Sequence, residues 1–279
     1  MKKHERAVEQ KNVEKKADFW SSKIWGWSVV NILLTVGFLL TGLFYVFSQE
    51  AVVGVLSFLF LFLLIVRDVL PKSYTQGGVW QAVKELVIAG VWAVGFWLVL
   101  SFILQTSSPV DVVTSCSMLP VLHRGDLLLL QGGSVNAQTF YFNSSFPSIN
   151  LLKKQCSESV NGGFAGFVPC TYGLSVDNKT FFVNSSDDVI VYAANPSYYG
   201  FIVHRVFLKL VNSSSGQAFY LTKGDNNPVL DQEAGVSIVN QSSVIGRVVF
   251  DVPYVGYLKL LLFMQFAEPE GCNTTISYS

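Results

Sequence analysis

Three apolar runs, packed into the first 104 positions, dictate most of what this chain can fold into. Ile24 to Phe47 carries no charge. As a helix it would reach roughly 36 Å, enough to cross a hydrocarbon core with some tilt. Trp20, Trp25 and Trp27 stand at its start, where interfacial indoles belong. Ser48-Gln49-Glu50 breaks the run. Ala51 to Val66 is the second, ended by Arg67 and Asp68 but extendable through Val69 and Leu70. Pro71 to Gly78 reads as a loop, and Leu86 to Leu104 is a third uncharged run. Hydrocarbon leaves backbone groups no water to bond, so spanning segments of this length are helices. The expectation is an N-terminal bundle of about three transmembrane helices, near 24–47, 51–70 and 86–104, within a membrane region 19–104.

Residues 1–18 mix Lys2, Lys3, Arg6, Lys11, Lys15 and Lys16 with Glu5, Glu9 and Glu14. The excess of basic residues marks a solvated tail on the cytoplasmic side. Its length and mixed sign argue against a cleaved leader. Three crossings from there put everything after Leu104 outside, in a multi-pass protein of the cytoplasmic membrane. Six Asn-x-Ser/Thr sequons fall in that part, at Asn143, Asn178, Asn184, Asn212, Asn240 and Asn273. They suit an extracytoplasmic domain, or else are plain polar loops and strand edges. The chain is 51% hydrophobic with mean hydropathy +0.42, as expected for spans plus one globular domain. A net charge of zero gives a nucleic-acid partner no electrostatic support. The four cysteines make no Cys-x-x-Cys pair, so no metal or other cofactor is expected.

From Val110 the pattern changes to short β-rich runs separated by Gly, Asn, Ser and Pro. Candidate strands are Leu127–Leu130, Lys179–Val183, Val189–Ala193, Phe201–Leu210, Ala218–Thr222, Ser237–Val239 and Val244–Asp251. A mostly β domain over 105–255 follows. Gln131 to Ser186 is long, polar and aromatic. Its Cys156 and Cys170 are either a disulfide or two buried thiols. Tyr254 to Phe266 reads as an interfacial flank, too short in its apolar part to span, within a C-terminal segment 256–279.

Thr114-Ser115-Cys116-Ser117-Met118-Leu119-Pro120 runs on to Gly125-Asp126 and the apolar Leu127–Leu130. This resembles the nucleophile box of type I signal peptidases, Ser-x-Ser-Met-x-Pro followed by Gly-Asp. Ile202-Val203-His204-Arg205-Val206 resembles the Val-His-Arg-Val strand of that family's archaeal and endoplasmic-reticulum branch. Bacterial relatives carry lysine at that base position. Leu221-Thr222-Lys223-Gly224-Asp225-Asn226-Asn227, with Asp231 beyond it, resembles the Thr-Lys-Gly-Asp-Asn segment and its second acid. Gly246-Arg247 and Pro253-Tyr254-Val255-Gly256-Tyr257 resemble the closing strand. The four blocks stand in order over roughly 95–258, with Gln131–Ser186 as an insertion between the first two.

The resemblance implies a signal-peptidase-like β fold and a serine endopeptidase that cleaves N-terminal signal peptides from secreted pre-proteins after a small-x-small motif. Serine needs a base to take its proton, and histidine titrates in the range where it can. Ser117 is then the nucleophile, His204 the base and then acid, and Asp231 the orienting carboxylate, favoured over Asp225 as the supporting one. The Ser117 backbone N–H and the Ser115 hydroxyl are oxyanion candidates. Met118, Leu119 and Val203 are candidate walls for shallow substrate pockets. The implied partners are pre-proteins, membrane lipid and the Sec translocon. Cys116 stands where the family usually has glycine. Competing readings are a Cys-His enzyme using Cys116, a Ser-Lys enzyme using Lys209 or Lys223, a peptidase for a narrower precursor set, and a β-domain with a binding or structural role. His204 as a plain core residue and Gly224-Asp225-Asn226-Asn227 as a plain turn are the simplest local readings.

Overall fold

The computed structural model describes residues 23–24, 27–48, 50–75, 78–143, 145–269 and 271–278. The basic tail 1–18, with Trp20 and Trp25, lies outside the described residues. The chain divides into two compact units. One takes in the described residues up to Val91 together with Leu260–Ala267; the other runs from Trp92 to Lys259 and adds Glu268–Ser279.

Three helices follow the apolar runs: α1 (Val29–Ser48), α2 (Ala51–Thr75) and α3 (Gly78–Leu104). Among the described residues, two helical stretches are long and apolar enough to cross a membrane, Val29–Ser48 and Val83–Leu104. The apolar stretch of α2, Val52–Leu64, is shorter. The expected loop from Pro71 gives way to helix as far as Thr75. A proline removes one N–H from the ladder, and the other bonds of a long helix can carry on past it. Small residues let α1 and α2 approach closely: a Cβ on Gly37 would lie 2.7 Å from the Phe60 ring. The buried Tyr45 hydroxyl donates to the carbonyls of Gln265 (3.2 Å) and Phe266 (2.9 Å), and Gly54 leaves room for the Phe266 ring. The end of the apolar C-terminal flank, at Gln265 and Phe266, is therefore packed on these two helices. Leu39, Leu40 and Phe47 point outward and exposed, a surface that suits hydrocarbon rather than water.

The second unit is mostly β. Its main sheet contains β1 (Val110–Val112), β2 (Leu127–Gln131), β3 (Thr139–Phe142), β7 (Val189–Ala193), β8 (Phe201–Asn212), β9 (Ala218–Lys223), β10 (Val239–Asn240) and β11 (Val244–Val252). The order is β10-β9-β8-β7-β11-β2-β1, with β3 parallel to the far half of β8. Side chains alternate between faces along a strand, so near-continuous apolar strands imply cover on both sides. Ile190, Tyr192, Val206 and Tyr220 pack in one cluster, and Val189 and Val191 pack with Leu128 and Leu130 in another. Except for Ser237–Val239, which shrinks to β10, the expected strands match observed ones to within two residues at each end.

Gln131–Ser186 is far more ordered than its composition suggests. It holds β3 and a second sheet, formed by β4 (Ile149–Val160), β5 (Gly163–Val176) and β6 (Lys179–Phe182) with β12 (Thr274–Ser277) on its edge, in the order β12-β4-β5-β6. The sequence hid β4 because Lys153, Lys154, Gln155, Ser157, Glu158 and Ser159 leave no apolar alternation to read. The overlooked signal was the turn: Asn161 and Gly162 have φ of +51° and +77°, as an Asn-Gly hairpin turn requires. Cys156 and Cys170 are joined as a disulfide within this hairpin, and Cys116 is joined to Cys272.

Candidate active site

The loop from Val113 to Asp126 joins β1 to β2 and carries the two serines. It is closed at its base, where Val113 N–H donates to Asp126 O (3.0 Å) and Gly125 N–H to Val113 O (2.8 Å). The Asp126 carboxylate, 2% exposed, accepts from the backbone N–H of His123 at 2.7 Å. Gly125 has φ +88°, and a Cβ there would fall on the Tyr257 ring. Gly256 is as tightly held, its missing Cβ 2.6 Å from Val112. The Gly-Asp pair and the Tyr-Val-Gly-Tyr block are therefore two sides of one brace beneath the serine loop.

His204 comes from β8, where it stands opposite Ile190 of β7. Asp231 sits in the connection after β9, its backbone N–H donating to Thr222 O at 2.9 Å. These elements bring three side chains together. The Nε2 atom of His204 is 2.8 Å from Ser117 Oγ. Its Nδ1 is 2.8 Å from both carboxylate oxygens of Asp231. With Nδ1–H donating to Asp231, Nε2 is the acceptor for the Ser117 hydroxyl. His204 and Asp231 are 7% and 4% exposed, so the pair is shielded from water.

The carboxylate has further support that the sequence did not reveal. Tyr192 O–H donates to Asp231 Oδ2 at 2.8 Å and lies 3.0 Å from the Thr222 hydroxyl. Burial opposes the charged form of Asp231. The hydrogen bond and charge of His204, with Thr222 and Tyr192, outweigh it and hold the carboxyl below its usual range. Burial and the neighbouring Asp231 charge push the Tyr192 phenol upward, so it remains a donor. Thr222 at least falls inside the Thr-Lys-Gly-Asp-Asn block; Tyr192 carries no local signal.

Asp225 lies elsewhere. Its two oxygens take Arg205 Nε (2.8 Å) and one terminal guanidinium nitrogen (2.7 Å), a bidentate pair. Arg205 also donates to the carbonyls of Ser185 (2.8 Å) and Asp187 (2.7 Å). Lys223 Nζ donates to Gly224 O at 3.0 Å and sits 4.6 Å from the centre of the Tyr278 ring. Burial pushes its ammonium down to about 8, against the pull of Asp225, Asp231 and Glu233. Lys209 donates to Val135 O at 3.0 Å. Cys116, bonded to Cys272, has no thiol to offer as a nucleophile.

Ser115 Oγ is 3.3 Å from Ser117 Oγ and exposed. Among the pocket candidates, Met118 is 1% exposed and belongs to the core cluster of Leu128 and Leu130, while Leu119 and Val203 are half-buried. A cleft of about 350 Å³ opens beside the serine loop, with Ser115, Ser117, Glu158, Asn226, Thr274 and Ile276 in its lining. Asn226 ties its parts together. Its N–H donates to Ser117 O (2.8 Å), and its side-chain amide donates to Cys116 O (3.2 Å) and Thr274 O (2.7 Å). Its side-chain oxygen accepts from Ile276 N–H at 2.9 Å.

Curated relatives are similar to this chain in sequence over about two thirds of its length. The signal peptidase complex catalytic subunit SEC11 of Verticillium alfalfae is 30% identical over 188 residues, covering 65% of this chain and 81% of its own length. The subunit of the same name from Schizosaccharomyces pombe is 30% identical over 197 residues, covering 69% and 87%. That of Fusarium vanettenii is 31% identical over 169 residues, covering 60% and 70%. No family model matches the chain.

Proposed function

The chain belongs to the type I signal peptidases, in the endoplasmic-reticulum-type branch, and from that membership we propose a membrane-bound serine endopeptidase that cleaves N-terminal signal peptides from secreted pre-proteins after a small-x-small motif. The observation that carries the reading is the 2.8 Å contact between Ser117 Oγ and His204 Nε2, backed by Asp231. Ser117 attacks the scissile carbonyl while His204 takes its proton. Asp231 keeps Nδ1 protonated and stabilises the imidazolium that forms. The Ser117 N–H and the Ser115 hydroxyl donate to the developing oxyanion. His204 then returns the proton to the leaving amine, and water attacking by the same route releases the acyl group. An inactive β-domain would have no need of this aligned, buried relay.

In the membrane, the proposed arrangement is a cytoplasmic tail 1–18, three crossings within 19–104, an extracytoplasmic peptidase domain 105–255 and an interfacial segment 256–279. Two disulfides support the outer placement, since thiols stay reduced in the cytoplasm. So do four exposed sequon asparagines, Asn143, Asn178, Asn240 and Asn273. The proposed partners are signal-peptide-bearing pre-proteins, membrane lipid and the Sec translocon. Ser117→Ala and His204→Ala, expressed in membranes, should each abolish cleavage of a model pre-protein while the protein still accumulates. Cleavage retained by either variant would remove the assigned mechanism. Protease protection on sealed vesicles checks the placement of the outer domain.

A further inference from the structure

The second sheet is more than an ornament on the catalytic one. In β4 and β12, Glu158 stands directly opposite Ile276, and Val160 opposite Thr274. Side chains directly opposite each other share a face, so Glu158, Ile276 and Thr274 form one row. Glu158, Ile276 and Thr274 line the same cleft as Ser115 and Ser117. The row is held in place from three directions. The Cys116–Cys272 bond fastens the start of the tail to the residue before the nucleophile. The Asn226 side chain takes both the carbonyl of Thr274 and the N–H of Ile276. Tyr278 O–H donates to Asn227 O at 2.6 Å, and Lys154 Nζ donates to Tyr278 O at 2.6 Å.

We propose that this row is a substrate subsite, and that the Glu158 carboxylate selects polypeptides carrying a cationic side chain beside the scissile bond. The inference rests on the peptidase reading above and extends it from reaction to selectivity. Among the described residues, Glu158 is the only charged one lining the cleft. Among the described residues no Lys or Arg forms an ion pair with it. An unbalanced carboxylate in a concave site raises the local concentration of cations and repels anions. Ile276 offers apolar contact for the stem of a Lys or Arg, and Thr274 a hydroxyl for its head.

The test compares cleavage of three pre-protein series, with Lys, Ala or Glu placed in turn at each position flanking the cleavage site, by the full chain in membranes. At one position the wild type should prefer Lys over Glu by about fivefold in kcat/KM, the scale of a partly exposed ion pair. Glu158→Gln should bring that ratio to about one, and Glu158→Lys should invert it. High salt should compress the wild-type ratio. An unchanged ratio in both variants overturns the subsite. If the wild type cleaves none of these substrates, the peptidase reading falls but the subsite can still be tested. The same peptides, fluorescently labelled, are then bound to Ser117→Ala protein and to Ser117→Ala/Glu158→Lys protein. Preference for Lys that reverses with the charge at position 158 supports the site; indifference removes it.

Discussion

Asp225 and Asp231 share a loop, and their surroundings separate their work. Asp231 faces His204, and Asp225 faces Arg205, which is 8% exposed. Asp231→Asn keeps the shape but offers an amide where the imidazole needs an acceptor. It should lower kcat by about 10⁴-fold, as loss of the correct tautomer does, with the fold kept. Asp225→Asn leaves a buried guanidinium short of its counter-charge. It should cost on the order of 3–5 kcal/mol of stability with a much smaller effect on the folded enzyme's kcat. Initial rates beside thermal midpoints for the two variants check this. The folded carboxyl of Asp231 lies below the ordinary carboxylate range, so its contribution to stability is present above the unfolded value. That contribution is lost only as pH falls through the folded value, and any activity lost at milder acidity belongs to another group.

The turn after β9 and the serine loop meet with nothing between them. A Cβ on Gly224 would lie 2.6 Å from the carbonyl oxygen of Ser117 and 2.8 Å from the Asn227 side chain. Backbone cannot swing aside as a flexible side chain would. Gly224→Ala should therefore push Ser117 away from His204 and lower kcat by about 10²-fold, the cost of a displacement near 1 Å. Circular dichroism should remain that of the wild type. The β4–β5 hairpin braces the opposite side of the same turn. Glu233 accepts from Thr171 (2.6 Å), Lys153 (2.6 Å) and the Leu230 N–H (3.1 Å), which fixes the approach to Asp231.

The chain closes on itself through the Cys116–Cys272 bond, which links positions 156 apart in sequence. Closing so long a loop restrains the unfolded chain by about 5 kcal/mol in the simplest entropic picture. Cys272→Ser, or reduction of the wild type, should lower the second unit's thermal midpoint, as followed by intrinsic fluorescence. An unchanged midpoint would mean that Asn226 and β4 hold the tail unaided. The helices along the uncharged runs, the strand around His204 and the blocks carrying Ser117 and Asp231 were all legible beforehand. Each depends on neighbours in the chain: absence of charge over the length of a span, β-rich runs between turn residues, motif spacing. The Arg205 partner of Asp225, the pairing of Cys116, the support from Tyr192 and the second sheet were not legible. They depend on distances between segments far apart in sequence, and only packing the sheets against each other sets those distances. A polar strand such as β4 becomes visible only once β5 and β12 supply its hydrogen bonds.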